Sequence, residues 1–127
     1  MKVLKQTYHI QAPIEKVWQA LVDPKVIELW SGTEAVMSDI PNSSFKLWGG
    51  DIHGVNTEVI PNLMLSQDWY GGEWSKPSKV VITLVAKNKG TMVNLKHWDI
   101  PEGEEKDFDE GWKDFYFGPI KELLESS

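Results

Sequence analysis

Few side chains in this sequence are suited to chemistry, and their spacing limits what each could do. His97 shares strand parity with Val93 and Leu95, which aims it inward at the end of an apolar run. Two readings stay open for it. It either completes a hydrogen-bonded core, or it orients a ligand's polar group or exchanges a proton near neutral pH. Asp99 follows two residues later, past the end of the strand. Glu58 shares parity with Gly54 and Asn56 on a strand whose alternation does not choose a buried face. Exposure is the default for a glutamate; turned inward, it would be the natural partner of His97 or of a ligand hydroxyl. Asp51 and His53 could begin a metal site, yet nothing supplies a third ligand at suitable spacing. The glycines of "GGDIHG" have strands on both sides and no helix N-terminus to meet an anion. They fit a sheet bend or bulge better than a phosphate loop. No G-x-S-x-G, H-E-x-x-H or paired-histidine motif is present. With no cysteine, thiolate nucleophiles, disulfides and cysteine-ligated zinc are excluded. The expectation is binding without catalysis, with no metal and no cofactor. An enzyme would need His97 and Glu58 to converge.

The seven tryptophans are the richer signal. Large rings of this kind either fill a core, each seeking a partner for its N–H, or line a cavity for a flat apolar ligand. Trp69 and Trp112 are the best placed for the second role, because strand alternation and helix phase aim both at the same space. Leu63, Leu65, Gln67 and Trp69 share one strand face, and Tyr116 lies one helical turn from Trp112. The candidate ligand-binding residues are therefore Trp30, Phe45, Glu58, Leu65, Trp69, Ile82, His97, Trp112 and Tyr116.

The elements that position these residues follow from periodicity. "VLKQTYHIQA" alternates as a strand with one apolar face. "APIEKVWQALVDP" places Ile14, Val17, Trp18 and Leu21 at helical spacing, with Pro13 in the first turn. Asp23-Pro24 starts a second short helix that ends near Ser31 and Gly32. "EAVMSD", "SFKLWG", "IHGVNTEVI", "NLMLSQDWY", "KVVITLVAK" and "TMVNLKHW" then read as six strands separated by turn residues. The end of the chain, "DEGWKDFYFGPIKELLES", carries Trp112, Phe115, Tyr116, Ile120 and Leu123 on one helical face. Asp107 and Glu110 have capping-box spacing, and Pro119 should bend the helix. The expected fold is α+β: a curved antiparallel sheet of about seven strands wrapped around a long C-terminal helix, with two short helices after the first strand. Residues 1–127 are expected to form a single domain.

Charge and hydropathy bound the partners. The net charge is −6, and it is unevenly placed. Residues 99–127 hold ten acids against three lysines, while residues 1–98 hold nine acids and ten lysines. All thirteen cations are lysine, so the planar fork suited to phosphate is missing, and the acidic end would repel a nucleic-acid backbone. No run reaches the ~18 apolar residues of a membrane span, and the N-terminus lacks a signal core. A cytoplasmic protein with no nucleic-acid partner is expected.

The order of elements resembles the helix-grip fold of the START-like (SRPBCC) superfamily. Within it, the chain is similar to homologues of the C-terminal domain of the activator of the heat-shock-protein-90 ATPase. The residues that carry the resemblance are "APIEKVWQALVDP" with Trp30-Ser31-Gly32, "FKLWGGDIHG" with Glu58 and Pro61, then Trp69, Thr91, "HWDIP" and "EGWKDFYFGPIKELL". They span most of the chain in the family's order. The full activators add an N-terminal domain that remodels the chaperone, so the resemblance implies a stand-alone member with a chaperone contact and a link to stress response. Other members of the superfamily bind lipids, hormones or polyketides between sheet and helix, and a few are cyclases or hydrolases. The leading expectation is a small hydrophobic or aromatic ligand held in that cavity.

Overall fold

The structure is a computed structural model that describes residues 3–72 and 74–126. Strand β1 (Val3–Ile10) leads into helices α1 (Ile14–Val22) and α2 (Pro24–Ser31). Pro13, extended at ψ 151°, caps α1, while Asp23 caps α2 by accepting a 2.9 Å bond from the Lys25 amide, with Pro24 in the first turn. Gly32 ends α2 in the left-handed conformation at φ 79°, a geometry that costs a glycine little. Both helix boundaries match the sequence signals.

Strands β2 (Ser44–Leu47), β3 (Ile52–Ile60), β4 (Met64–Gly71), β5 (Ser78–Lys87) and β6 (Gly90–Trp98) follow. The sheet has six strands, not seven, in the order β1-β6-β5-β4-β3-β2. The missing strand is the one expected at 34–39, which pairs through a single bridge, Val36 to Lys46. Its polar residues turn the chain instead. Ser38 donates to the Ser43 hydroxyl at 2.9 Å, and the Asn56 side-chain amide donates to the Ser38 carbonyl at 3.1 Å. Side-chain bonds of this kind compete with a ladder.

Two features bend the sheet. A Cβ on Gly54 would sit 1.8 Å from the Asp68 carbonyl oxygen of the paired strand, so a glycine is required where β3 approaches β4 so closely. A bulge between Asn56 and Glu58 then shifts the register and reverses the facing of later residues. Sequence alternation left the facing of Glu58 open, and the bulge decides it. It pairs with Ser66 rather than with the inward Gln67, and it is exposed.

The last helix runs as α3 (Glu105–Gly111), a π-helical segment (Trp112–Phe117) and α4 (Gly118–Glu125). The Asp107–Glu110 capping box does not form. A turn closed by the Glu104 amide on the Pro101 carbonyl, at 3.0 Å, starts the helix earlier, with Glu104 at the cap and no side-chain cap bond. The distortion expected at Pro119 takes the form of the π segment. Pro119 has no N–H to offer the Phe115 carbonyl, and the preceding Gly118 amide bonds Lys113, five residues back. Widening the turn brings Phe117 round to the face of Trp112, where the two rings stack at 5.7 Å. Phe117 is thus buried, and Phe115, expected inward, is 66% exposed.

The helix is tied to β1 at both ends. Gln6 donates to the Asp109 carboxylate at 2.7 Å. Lys121 donates to the His9 carbonyl at 2.7 Å, and the Gln11 amide to Glu125 at 2.9 Å. Trp18, Leu21, Ile27 and Trp30 of the short helices pack into the same core as Phe45, Leu65, Ile82 and Leu95 of the sheet. No described helix is long and apolar enough to cross a membrane.

Candidate functional site

Aromatic rings pack against one another between sheet and helix. Trp69 stacks on Trp112 with ring centroids 4.6 Å apart and planes at 28°. Tyr116 packs 4.7 Å from Trp112 and 4.8 Å from Trp30. Phe45 closes on Trp69 at 6.3 Å. Beneath these rings Leu65, Ile82 and His97 are fully buried. Eight of the nine expected site residues thus converge, as a packed aromatic core. The ninth, Glu58, lies on the opposite side of the bulge.

Two hydrogen-bonded chains fix the orientation of the central rings. The Trp112 indole donates to His97 Nδ1 at 3.1 Å, which leaves Nε2 as the protonated nitrogen of the neutral ring. Nε2 donates to the Ser78 hydroxyl at 2.7 Å, and that hydroxyl reaches the Trp69 carbonyl at 3.3 Å. Both histidine nitrogens are used. Burial lowers the His97 pKa to about 4, because an imidazolium here would lose its hydration with no anion to replace it. In the second chain the Trp69 indole donates to Gln67 Oε1 at 2.7 Å, and Gln67 donates to Asn56 Oδ1 at 2.8 Å. Asn56 then donates to Ser43 Oγ at 3.1 Å. Among the described residues no buried side-chain polar atom lacks a partner, which is the condition under which a buried network specifies one packing.

An open cleft lies at the mouth of the grip. A cleft of about 330 Å³ runs between the turn after β2 and the start of the last helix. Trp69, Trp112 and Tyr116 line its inner side. Trp48, Asp51 and Ile52 line it from the sheet; Asp107, Phe108, Gly111 and Phe115 line it from the helix. These seven were not among the expected site residues, although a signal existed. Phe108, Gly111, Trp112 and Phe115 recur at helical spacing, and the Trp48-Gly49-Gly50 run marks a special turn. There Trp48, Gly49 and Gly50 are all left-handed, at φ 51°, 69° and 99°. A bulky residue rarely adopts that conformation. Trp48 is held in it by edge contacts to Trp30 at 6.2 Å and Tyr116 at 6.3 Å.

His97 and Glu58 do not meet, since one is buried and the other exposed on the outer side of β3. Among the described residues no three histidines, aspartates or glutamates gather as metal ligands, so Asp51 and His53 gain no third partner.

Comparison with known proteins places this geometry. The family model for Activator of Hsp90 ATPase homolog 1-like proteins matches residues 11–125. The activator of 90 kDa heat shock protein ATPase homolog of Dictyostelium discoideum is 28% identical over 129 residues, which is 99% of this chain and 34% of the relative. Homolog 1 of Homo sapiens is 22% identical, over 95% of this chain and 36% of the relative. The chain therefore spans about a third of the length of these curated relatives. Among solved structures, an HSP90 activator from Plasmodium falciparum superposes with a TM-score of 0.90 at 22% identity, covering 98% of this chain and 97% of that one. The Aha1 dimer from Colwellia psychrerythraea gives 0.84 at 21% identity, with 98% and 97% covered. These likenesses establish the helix-grip fold.

Proposed function

Because the chain belongs to the Activator of Hsp90 ATPase homolog 1-like family, whose model matches it over residues 11–125, we propose that it works by binding rather than catalysis, as a co-chaperone-like module that contacts an Hsp90-class chaperone. It would do so in the cytoplasm, as one domain over residues 1–127. The observation that carries this reading is the filled grip. Stacked Trp69, Trp112 and Tyr116 occupy the space where related folds hold a ligand, and His97 has no free nitrogen for proton transfer. Function then falls to the surface. The expected outcome is direct but weak binding to the full-length chaperone, in the micromolar range by calorimetry, with little ATPase stimulation by this chain alone. No heat of binding at any nucleotide state would remove the proposal. Strong stimulation at stoichiometric concentration would make it an activator in its own right.

A second reading is favoured by the cleft itself. Its volume of about 330 Å³ falls at the small end of the ~300–1,000 Å³ typical of ligand pockets. A small apolar or aromatic molecule would be held between sheet and C-terminal helix, at the mouth of the grip.

A further inference from the structure

The cleft has a charge pattern that an apolar ligand would leave unused. Among the described residues its charged lining consists of Asp51 on the sheet side and Asp107 on the helix side, with no lysine or histidine. Lys106 and Lys113 are exposed on the same helix but do not line it. Most of the remaining lining is aromatic: Trp48, Phe108 and Phe115 with Trp69, Trp112 and Tyr116. The face of an aromatic ring carries negative electrostatic potential and attracts a cation, most strongly for tryptophan. Rings and carboxylates thus favour the same sign of charge, and the acidic segment 99–127 adds to it.

The strained Trp48 is independent support. A tryptophan in the left-handed region, ahead of two left-handed glycines, persists only where packing over-determines it, and such residues gather at functional sites. Here that packing makes Trp48 a fixed wall of the cleft.

We propose that the cleft binds a small organic cation: an alkylated ammonium group on an apolar or aromatic body, its charge balanced by Asp51 and Asp107 and its alkyl groups against the ring faces. This rests on the ligand-binding reading of the cleft and names the chemical class of the ligand. A neutral molecule of the same shape would gain the apolar contact alone, and an anion would be repelled by both carboxylates.

The experiment compares three probes of similar size: benzyltrimethylammonium, phenylpropanol and phenylpropionate. Binding is followed by heteronuclear NMR of the indole N–H groups. The cation should shift the Trp48 and Trp112 resonances and bind about two- to thirty-fold tighter than the alcohol, the span of cation–π energies from exposed to desolvated sites. The anion should bind weakest. Added salt should shrink the cation's advantage, and Asp51→Asn with Asp107→Asn should remove most of it, lowering the cation's affinity far more than the alcohol's. Should that double variant fail to fold, the salt titration of the native protein decides. Equal binding of cation and alcohol would overturn the cation inference and keep the ligand reading. No shift with any probe would end both. A lysine-rich peptide that shifts these resonances when the small cation does not would overturn the commitment to a small molecule.

Discussion

At the scale of the residue, His97 shows how a reactive side chain becomes a structural one. The sequence placed it correctly, facing inward at the end of β6, because alternation with Val93 and Leu95 survives in the structure. Its partners were not legible. Ser78 and Trp112 lie 19 and 15 residues away, and only the fold brings them together. The face of Glu58 could not be read at all, since parity arguments assume an unbroken ladder and the bulge after Asn56 breaks it. The buried neutral state of His97 has a pH signature. Its pKa falls from 6.5 to about 4 on folding, so the unfolded chain binds its proton first as pH falls. The stabilisation is complete above pH 6.5, declines as pH falls toward 4, and amounts to about 3 kcal/mol at 1.36 kcal/mol per pKa unit. Denaturant unfolding across that window should show the decline, and His97→Gln should flatten it. Glu125, held below its usual pKa mainly by its hydrogen bond to Lys121, acts in the same direction but at lower pH. A His97 imidazole titrating near 6.5 by NMR in the folded protein would contradict the buried network.

At the scale of the element, strands and short helices were readable because their signals are local: alternation, proline at the first turn, glycine beyond the last. The final helix was readable in existence and misread in phase. A period of 3.6 residues puts Phe115 inward with Trp112 and Tyr116, whereas the i→i+5 turn substitutes Phe117. The cause lies in "FGP". Pro119 withholds a donor, and Gly118 sits so close that a Cβ would meet the Lys113 carbonyl oxygen at 2.3 Å. Gly118→Ala therefore sets two effects against each other. Helix propensity favours alanine by about 1 kcal/mol, but crowding in a packed segment costs about 1–3 kcal/mol. The clash is with backbone, which cannot swing away, so net destabilisation is expected in urea unfolding. A neutral or stabilised variant would mean that the π turn relaxes easily to an α turn and that Phe117 is not locked against Trp112.

At the scale of the whole molecule, the question is whether the sheet grips a void or a solid. Hydrophobic pattern alone leaves both open, because seven large rings can line a cavity or fill it; pattern specifies which face is buried and leaves the volume undetermined. The structure packs Tyr116 against Trp30, Trp69, Trp112 and Phe117 at centroid distances of 4.8, 6.3, 4.7 and 4.8 Å, with 1% of its surface exposed. It also lines the cleft. Truncating a large buried aromatic costs about 3–5 kcal/mol, and truncating a buried leucine about 2–5 kcal/mol. Leu21, fully buried in α1, is the reference. Tyr116→Ala should cost at least as much as Leu21→Ala, with an unchanged denaturant slope showing that the same surface is exposed on unfolding. The variant would enlarge the cleft inward, so a bulky apolar probe that native protein excludes should bind it and restore part of the loss, by about 2.7 kcal/mol at 100 times its dissociation constant. If Tyr116→Ala costs clearly less than Leu21→Ala, the tyrosine borders space that is already empty, and the grip is a cavity whose mouth alone was taken for its whole extent.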